Sequence, residues 1–209
     1  MILASINVNG LRAAARNGIH QWLEERAPDV VTLQEVRAPD ALVADLLGPG
    51  WHVVHVESSA KGRAGVAVAS RLPITGSGVG DGIEALAGTG RWVEADIVLG
   101  DGSLLTVISC YAHTGDETVP ERMTEKLAFF DAIAARLTEL RDDGRHVLLT
   151  GDLNVAHTDD DVKNWKGNAG CAGCLPEERA HFDRWFSDLG FVDVGRALAG
   201  PGPGPYTWW

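Results

Sequence analysis

The sequence predicts an α/β fold in which two β-sheets pack face to face, with helices on the outside. Seven apolar or alternating runs are typical of strands, and three or four segments carry apolar residues at helical spacing. Positions 51 to 111 contain four of the strand patterns and no convincing helix pattern. Because a simple doubly wound sheet alternates strands with helices, this distribution favours a sheet-on-sheet core.

The predicted strands are short, and Gly, Pro, Asp or Asn stands at most of their boundaries. They cover residues 2–8, 30–33, 51–56, 66–69, 92–99, 104–111 and 147–150. The predicted helices are marked by an asparagine cap, by prolines that open a helix and by glycines that end one. Four helices are predicted: one between Asn17 and Pro28, one from 41 to 47, one from Pro120 to Gly144 and one from Pro176 to Gly190.

Composition indicates one globular domain over residues 1–209. Hydrophobic residues make up 45% of the chain, which excludes disordered and fibrous classes. No secretion signal is recognisable and no run approaches the roughly 18 apolar residues of a membrane helix, so we expect a soluble cytoplasmic protein. Three cysteines are too few for a disulfide framework, which fits a reducing compartment.

The net charge of −11 argues against indiscriminate binding to nucleic acid, because bulk affinity for a phosphate backbone comes from positive charge. It leaves room for a local basic groove, or for carboxylates that hold a divalent metal.

Polar side chains follow three of the predicted strands. Asp152 and Asn154 come after the last strand, and their two-residue spacing would place both on the same side of the pleat. Glu35 follows the second strand, and the first delivers Asn7 and Asn9. Turn formation would explain any one of these polar residues. It does not explain why carboxylate and amide side chains recur at three strand ends. Carboxylate and amide oxygens suit a partly hydrated Mg²⁺ and an anionic substrate, so a metal-dependent site is predicted.

A set of motifs runs through the whole chain in a fixed order. They are Ser5-Ile-Asn-Val-Asn-Gly-Leu-Arg-Ala13, Leu33-Gln-Glu35, Gly65-Val-Ala67, Gly90-Arg91, Tyr111, Gly151-Asp-Leu-Asn-Val-Ala156, Asp161-Val-Lys-Asn-Trp-Lys-Gly-Asn168, Leu175-Pro-Glu-Glu-Arg179 and Tyr206-Thr-Trp-Trp209. This set resembles the exodeoxyribonuclease III family of the exonuclease–endonuclease–phosphatase superfamily. The resemblance implies a four-layered α/β sandwich and a DNA repair nuclease that requires Mg²⁺, or Mn²⁺ in its place. Enzymes of that family remove nucleotides 3′ to 5′ from duplex DNA, cleave at abasic sites and clear blocked 3′ ends.

The resemblance also assigns roles to single residues. It makes Glu35 the main metal ligand, with Asn9 beside it, and Asp152 the general base or water orienter. It gives Asn7 and Asn154 the task of orienting the attacking water, the catalytic groups or the phosphate. The phenol of Tyr111 would lie near the scissile phosphate. Phosphodiester hydrolysis needs a cation, donors for the developing negative charge and a base, so this inventory suits the reaction.

Substrate contacts are expected from a polar loop and from single basic or aromatic residues. By resemblance, the loop lies against the backbone of double-stranded DNA that is abasic or blocked at its 3′ end, and Trp208 forms the wall of the pocket for an extruded abasic sugar. For the basic residues the alternative is a solvated surface charge, and for Trp208 it is core packing. The expected contacts are Lys163, Asn164, Lys166, Asn168, Arg91, the stretch 61–63 and Trp208.

The chain also departs from the family pattern. A downstream Asp and a Ser-Asp-His string are missing, and none of the seven histidines follows an Asp. Tyr206-Thr-Trp-Trp209 has the appearance of a strand that enters a core whose remainder is absent. We therefore expect a C-terminally truncated domain, a fragment of an active enzyme that acts as a monomer and does not bind membranes. The alternatives are a non-catalytic DNA-binding remnant and, disfavoured by the DNA-type motifs, a hydrolase of lipid phosphoesters.

Cys171-Ala-Gly-Cys174 is a further departure. A single C-x-x-C is weak evidence for zinc, which needs two more ligands, so incidental thiols are expected.

Overall fold

The structure is a computed structural model that describes residues 1–60, 62–80, 83–86 and 88–207. The chain divides into two compact units. Unit 1 comprises Met1–Ala112 and Glu139–Asp152, and unit 2 comprises His113–Thr138 and Leu153–Trp209. The single domain over 1–209 stays a prediction. Among the described residues, no helix has the length and apolar character needed to cross a membrane.

Unit 1 contains two four-stranded mixed sheets. Their strands are β1 Leu3–Asn7, β2 Val30–Gln34, β3 His52–Val56, β4 Val66–Ser70, β5 Ile74–Gly78, β6 Trp92–Val98, β7 Leu104–Tyr111 and β8 His146–Asp152. The first sheet has the order β1-β2-β4-β3 and the second has the order β5-β6-β7-β8. The prediction of four strands between positions 51 and 111 is wrong, because β5 is a fifth. Its sequence Ile-Thr-Gly-Ser-Gly carries two glycines, which weaken the strand signal.

The two sheets pack face to face through an apolar layer and through buried polar contacts. Val68 from the first sheet and Val93 and Val107 from the second belong to this layer. The Thr32 and Thr150 hydroxyls lie 2.7 Å apart, linking β2 to β8. The predicted sheet-on-sheet core is therefore confirmed.

Two parallel pairings bring strand ends together. In the first sheet β1 pairs parallel with β2, with Asn7 opposite Gln34. In the second sheet β7 pairs parallel with β8, with Tyr111 opposite Asp152. Because the carboxyl ends of parallel neighbours lie at the same edge, the residues that end these strands become neighbours in pairs.

Three helices of unit 1 pack against the first sheet, namely α1 Leu11–Arg16, α2 Ile19–Arg26 and α3 Asp40–Leu47. Leu11, Leu23 and Val43 are buried in this layer. The prediction that Asn17 caps α2 at its N-terminus is wrong. Gly18 holds that position, and Asn17 instead ends α1, a six-residue helix whose alanines give little apolar periodicity.

Unit 2 is mainly helical. Its helices are α4 Pro120–Asp142, whose last turn from Glu139 belongs to unit 1, α5 Trp165–Asn168, α6 Pro176–Ser187 and α7 Val194–Ala199. The prediction that Pro120 and Pro176 open helices is confirmed, whereas α5 and α7 were not predicted. The core contains the rings of Phe130, Phe182 and Trp185, with centroids 4.8 to 5.7 Å apart.

The end of the chain is organised by Arg196. Its guanidinium donates to the carbonyls of Gly200, Gly202 and Gly204, at 3.3, 2.7 and 2.8 Å, and pairs with Asp161. These bonds fold the Gly-Pro segment 200–205 back onto α7. The predicted strand after this segment does not form at residues 206 and 207, and Trp208 and Trp209 lie outside the described residues.

Candidate active site

The side-chain amide of Asn7 joins two carboxylates at the ends of the sheets in unit 1. Asn7 Nδ2 donates to Glu35 Oε1 at 2.7 Å and to Asp152 Oδ2 at 2.8 Å. Because a carboxamide nitrogen carries two hydrogens, one group satisfies both acceptors. The three side chains come from the ends of β1, β2 and β8, so both sheets contribute to one cluster.

Glu35 has three polar partners in this cluster, Asn7, Arg37 and Tyr111. Its side chain is 12% exposed and is paired with Arg37. The Tyr111 phenol also forms a hydrogen bond with Glu35. Burial, and then the charge of Glu35, raises the pKa of Tyr111 above its ordinary value of 10. At neutral pH the phenol is therefore a hydrogen-bond donor.

Several site residues follow a strand in a left-handed backbone conformation. Asn9, Glu35 and Asn154 have φ angles of 44°, 52° and 51°. Residues other than glycine rarely adopt such angles, and those that do cluster at functional sites. At Asn9 a local bond supports the turn, since its N–H donates to Asn7 Oδ1 at 3.0 Å.

This backbone geometry corrects the argument that the pleat of a strand places Asp152 and Asn154 on the same side. β8 ends at Asp152, so Asn154 is not a strand residue and the alternation of a strand does not determine its direction. The same holds for Asn9, because β1 ends at Asn7. Asn154 belongs to unit 2, where its carbonyl accepts a 2.8 Å hydrogen bond from Lys126 Nζ.

Gly151 allows β8 to reach Asp152 against its neighbour strand. Its φ is 139°, and a Cβ atom there would lie 1.9 Å from the Cys110 carbonyl oxygen. Any side chain at position 151 would push β8 away from β7. The glycine of the Gly151-Asp-Leu-Asn154 string is thus required by strand packing.

Arg91 is turned inward rather than toward solvent. Its guanidinium carbon lies 4.7 Å from the centroid of the Tyr111 ring. Its Nη1 donates to the carbonyls of Tyr111 and Ala112 at 3.1 and 3.4 Å. The role of Arg91 as a DNA contact stays a prediction. The geometry itself shows that this side chain supports the end of β7.

Three arginines line one cavity of unit 1, of about 240 Å³. They are Arg12, Arg37 and Arg63, and Glu57 and Ser58 lie on its wall. Arg63 belongs to the predicted basic stretch, whereas Lys61 lies outside the described residues. Arg12 and Arg37 were not predicted as site residues, although one lies in the first motif and the other two positions after Glu35. Three positive charges around one cavity attract anions even in a protein of net charge −11.

The predicted polar loop of unit 2 forms hydrogen bonds within itself. Asn164 caps α5 by accepting from the Gly167 N–H at 3.3 Å, and Asn168 Nδ2 donates back to the Asn164 carbonyl at 2.9 Å. Lys163 and Lys166 are exposed. Trp165, which was not predicted as a contact, is 42% exposed, with the Lys166 ammonium 5.4 Å from its ring. Trp208 lies outside the described residues.

The carboxylate and amide oxygens around Asn7 are donors that suit a hard divalent cation. In the part of the chain that the structure describes, no three His, Cys, Asp or Glu side chains gather as a ligand cluster. Mg²⁺ does not need one, because it is usually held by one or two carboxylates and keeps several waters. Glu35 and Asp152 provide two carboxylates joined by one amide.

Comparisons with known proteins agree with this fold. Residues 4–209 match the model of the endonuclease/exonuclease/phosphatase family. Exodeoxyribonuclease of Bacillus subtilis is 35% identical over 210 residues, which cover all of this chain and 80% of that protein. Exodeoxyribonuclease III of Haemophilus influenzae is 30% identical over 220 residues, covering all of this chain and 79% of that protein. The solved structure of an AP endonuclease from Archaeoglobus fulgidus is 28% identical with a TM-score of 0.81, covering 94% of this chain and 74% of that one.

The chain therefore belongs to the endonuclease/exonuclease/phosphatase family. Its relatives there are of the exodeoxyribonuclease III and AP endonuclease type, and the chain is a hydrolytic nuclease. The predicted resemblance, the α/β fold of two packed mixed sheets and the enzyme class are confirmed. The roles of single residues stay predictions.

Proposed function

We propose that this protein is a Mg²⁺-dependent DNA repair nuclease. It hydrolyses phosphodiesters of double-stranded DNA, as a 3′ to 5′ exonuclease, by incision at abasic sites and by removal of 3′ blocks. The observation that carries the proposal is the bridge from Asn7 to both Glu35 and Asp152, because it assembles a metal-binding carboxylate and a candidate base from three strands. The names of the relatives, exodeoxyribonuclease and AP endonuclease, support DNA as the substrate.

Asp152 is the proposed base that orients and deprotonates the attacking water. An exposed aspartate with a pKa near 3.9 is a poor base at neutral pH, so such a residue depends on its surroundings. Asn7 fixes one Asp152 oxygen by donating to Oδ2 at 2.8 Å. The amide thereby holds the carboxylate in one orientation toward the scissile phosphate.

Negative charge develops on the phosphate oxygens in the transition state, and neutral donors stabilise it. We assign this task to the Tyr111 phenol and to the side-chain amides of Asn7 and Asn154. The left-handed backbone at Asn154 presents its side chain outside the regular strand pattern. Such a conformation is kept only where the surrounding structure enforces it, which the Lys126 bond to the Asn154 carbonyl supports.

Glu35, with Asn9 beside it, would hold the metal ion. When bound, Mg²⁺ or Mn²⁺ would polarise the phosphate and offset its charge as a Lewis acid. The carboxylate of Glu35 faces Asn7, Arg37 and Tyr111, so the protein already surrounds it with polar partners that fix its direction. Only one or two protein carboxylates are needed for this ion.

The DNA backbone would be bound by positive charge in each unit. In unit 1 the cavity lined by Arg12, Arg37 and Arg63 fits a phosphate group. In unit 2 the exposed Lys163 and Lys166 supply further contacts. Trp165 offers an exposed aromatic face against which a base or sugar could stack.

An incision assay tests the proposal. The chain is incubated with a duplex that holds one abasic site, with Mg²⁺ and with EDTA, and the products are resolved on a denaturing gel. We expect incision with Mg²⁺, none with EDTA, and recovery when excess Mg²⁺ is restored. Asp152→Asn should lower the incision rate by about 10²-fold or more while leaving duplex binding in place. Asp45→Asn, on the exposed face of α3, is the matched control and should behave as wild type.

The contrary result would be binding to the abasic duplex with no incision in any divalent metal. In that case the chain is a non-catalytic DNA-binding protein and the proposed nuclease function is wrong.

A further inference from the structure

The two cysteines of unit 2 are the ends of one tight turn. Cys174 N donates to the Cys171 carbonyl at 2.9 Å, which closes a four-residue β-turn. Gly173, the third residue, has a φ of 94°, as a type II turn requires. The ends of such a turn have Cα atoms less than about 7 Å apart, within the reach of a disulfide. Both thiols are free and partly exposed.

The backbone of this turn is held firmly from outside. Ala172 N donates to Glu117 Oε2 at 2.8 Å, and Gly173 N donates to Glu178 Oε2 at 2.6 Å. The Gly173 carbonyl accepts from Ala156 N at 2.8 Å. These bonds hold the turn in the conformation that makes the two cysteines neighbours.

A guanidinium lies beside one of the two sulfurs. Arg179 donates to the Ala156 carbonyl at 3.0 Å and to Asp159 Oδ1 at 2.8 Å, and its guanidinium lies beside Cys174. Burial opposes the charge on Arg179, but the hydrogen bond to Asp159 and the negative charge of Asp159 together outweigh burial and raise the pKa of Arg179. A fixed positive charge beside this sulfur stabilises the negative charge that it carries during thiol–disulfide exchange.

We propose that Cys171 and Cys174 are a redox-active dithiol that closes to an intramolecular disulfide by exchange with small-molecule disulfides. The Cys174 thiolate attacks one sulfur of the small disulfide, whose S–S bond breaks and releases one small thiolate. The Cys171 thiolate then attacks the Cys174 sulfur, and the second small thiolate leaves. The protons of the two cysteines pass to the released thiolates, so the protein dithiol is oxidised and the small disulfide is reduced to two thiols.

Zinc binding is the other interpretation of a C-x-x-C pair, and the structure disfavours it. Structural zinc needs four ligands, commonly cysteine and histidine. Over the described ranges, no third His, Cys, Asp or Glu joins the two thiols in a cluster. The charged side chain beside Cys174 is a cation, Arg179, which opposes a second cation.

Mass spectrometry tests the proposal on the full chain. The reduced protein is incubated with oxidised glutathione, quenched in acid, then unfolded and alkylated. We expect Cys171 and Cys174 to escape alkylation in a peptide lighter by two hydrogens, and dithiothreitol to reverse this. Cys110 is the internal control, because it is fully buried and burial raises its thiol pKa strongly. Alkylation of all three cysteines, or stable glutathione adducts on wild-type Cys171 or Cys174, would overturn the proposal.

Two variants test the order of events. Cys171→Ser should accumulate glutathione on Cys174, because the second attack is lost. Adding Arg179→Gln to Cys171→Ser should slow this capture by about threefold or more, since the positive charge beside the Cys174 sulfur is lost. Far-UV circular dichroism confirms that each variant is folded. Equal capture rates at Cys174 in the single and the double variant would exclude the role of Arg179.

Discussion

The side-chain amide of Asn7 donates a 2.8 Å hydrogen bond to the carboxylate of Asp152, although 145 positions separate the two residues. Asn7 ends a strand of the first sheet and Asp152 ends a strand of the second. This polar contact therefore joins the two sheets at the edge where the candidate site lies. The same nitrogen also bonds Glu35, so one small side chain contacts both carboxylates.

Asn7→Ala should lower the rate of abasic-site incision by about 10²-fold to 10³-fold, because both carboxylates lose the donor that holds them. The measurement is the single-turnover rate at saturating Mg²⁺, with the melting temperature as a check of folding. Gln21→Ala removes an exposed carboxamide from α2 and is the matched control. A rate within about threefold of wild type in Asn7→Ala would show that the bridge does not serve catalysis.

The sequence predicts which residues form the cluster, but it does not predict the local backbone geometry of the cluster. Strand ends could be located because apolar runs stop at polar residues, and this placed Asn7, Glu35 and Asp152 at neighbouring ends. The left-handed turns at Asn9 and Asn154 could not be predicted, since nothing in the residue type requires them. Tertiary contacts, such as the one from Lys126 to the Asn154 carbonyl, stabilise that conformation.

Elements with weak patterns were missed for physical reasons. β5 contains two glycines. α1 has the sequence Leu-Arg-Ala-Ala-Ala-Arg. Neither segment therefore shows a strong apolar periodicity. Their neighbours in the fold stabilise them instead: β5 pairs with β6, and Leu11 of α1 is fully buried. Arg91 follows a glycine, and this sequence context does not indicate where the arginine side chain points. The inward position of Arg91 was therefore not predicted.

Arg91 should support Tyr111 rather than contact DNA. Arg91→Gln removes the cation over the ring and weakens the bonds to the Tyr111 and Ala112 carbonyls. We expect incision to slow by about 10-fold to 100-fold, as for a displaced catalytic group. The salt dependence of DNA binding should stay the same, because no phosphate contact is lost.

Arg63→Gln is the comparison for that prediction. Arg63 lines the arginine cavity, so its loss should reduce the slope of log affinity against log salt concentration by about one. Fluorescence anisotropy at several salt concentrations measures both slopes. A reduced slope in Arg91→Gln would instead support Arg91 as the DNA contact that the sequence predicts.

The ion pair of Lys126 and Glu178 should be essential for the stability of unit 2. Both side chains are fully buried, and Lys126 Nζ also donates to the carbonyls of Thr114 and Asn154 at 2.9 and 2.8 Å. Glu178→Gln leaves the lysine charge without its counter-ion, which should reduce the free energy of unfolding by about 3–5 kcal/mol. Urea denaturation followed by circular dichroism gives this value.

A double variant separates charge from packing at this pair. Lys126→Met with Glu178→Gln removes both charges, so it should recover part of the stability lost in Glu178→Gln alone. The single variant Lys126→Met completes the comparison. If the loss of unfolding free energy in the double variant equals the sum of the losses in Lys126→Met and Glu178→Gln, the two side chains act independently and the pair is not the source of stability.

His55 should make the protein less stable in mild acid. Its side chain is 1% exposed, and Nδ1 lies 3.1 Å from Asp40 Oδ1. Burial lowers the pKa of His55 below its ordinary value of 6.5, although Asp40 and Glu57 act in the opposite direction. The folded protein thus takes up its proton at lower pH than the unfolded chain, so the stability present above pH 6.5 is lost as the pH falls toward the folded-state pKa.

Urea denaturation at about pH 7.5 and about pH 5.5, on either side of the ordinary histidine pKa, measures this effect. His55→Gln should flatten the loss of unfolding free energy between the two pH values, because the buried titrating group is gone. A remaining slope is expected from His181, whose pKa is also lowered, mainly by burial. His52→Gln, at an exposed position of the same strand, should keep the wild-type profile. An unchanged slope in His55→Gln would mean that other groups govern the acid sensitivity.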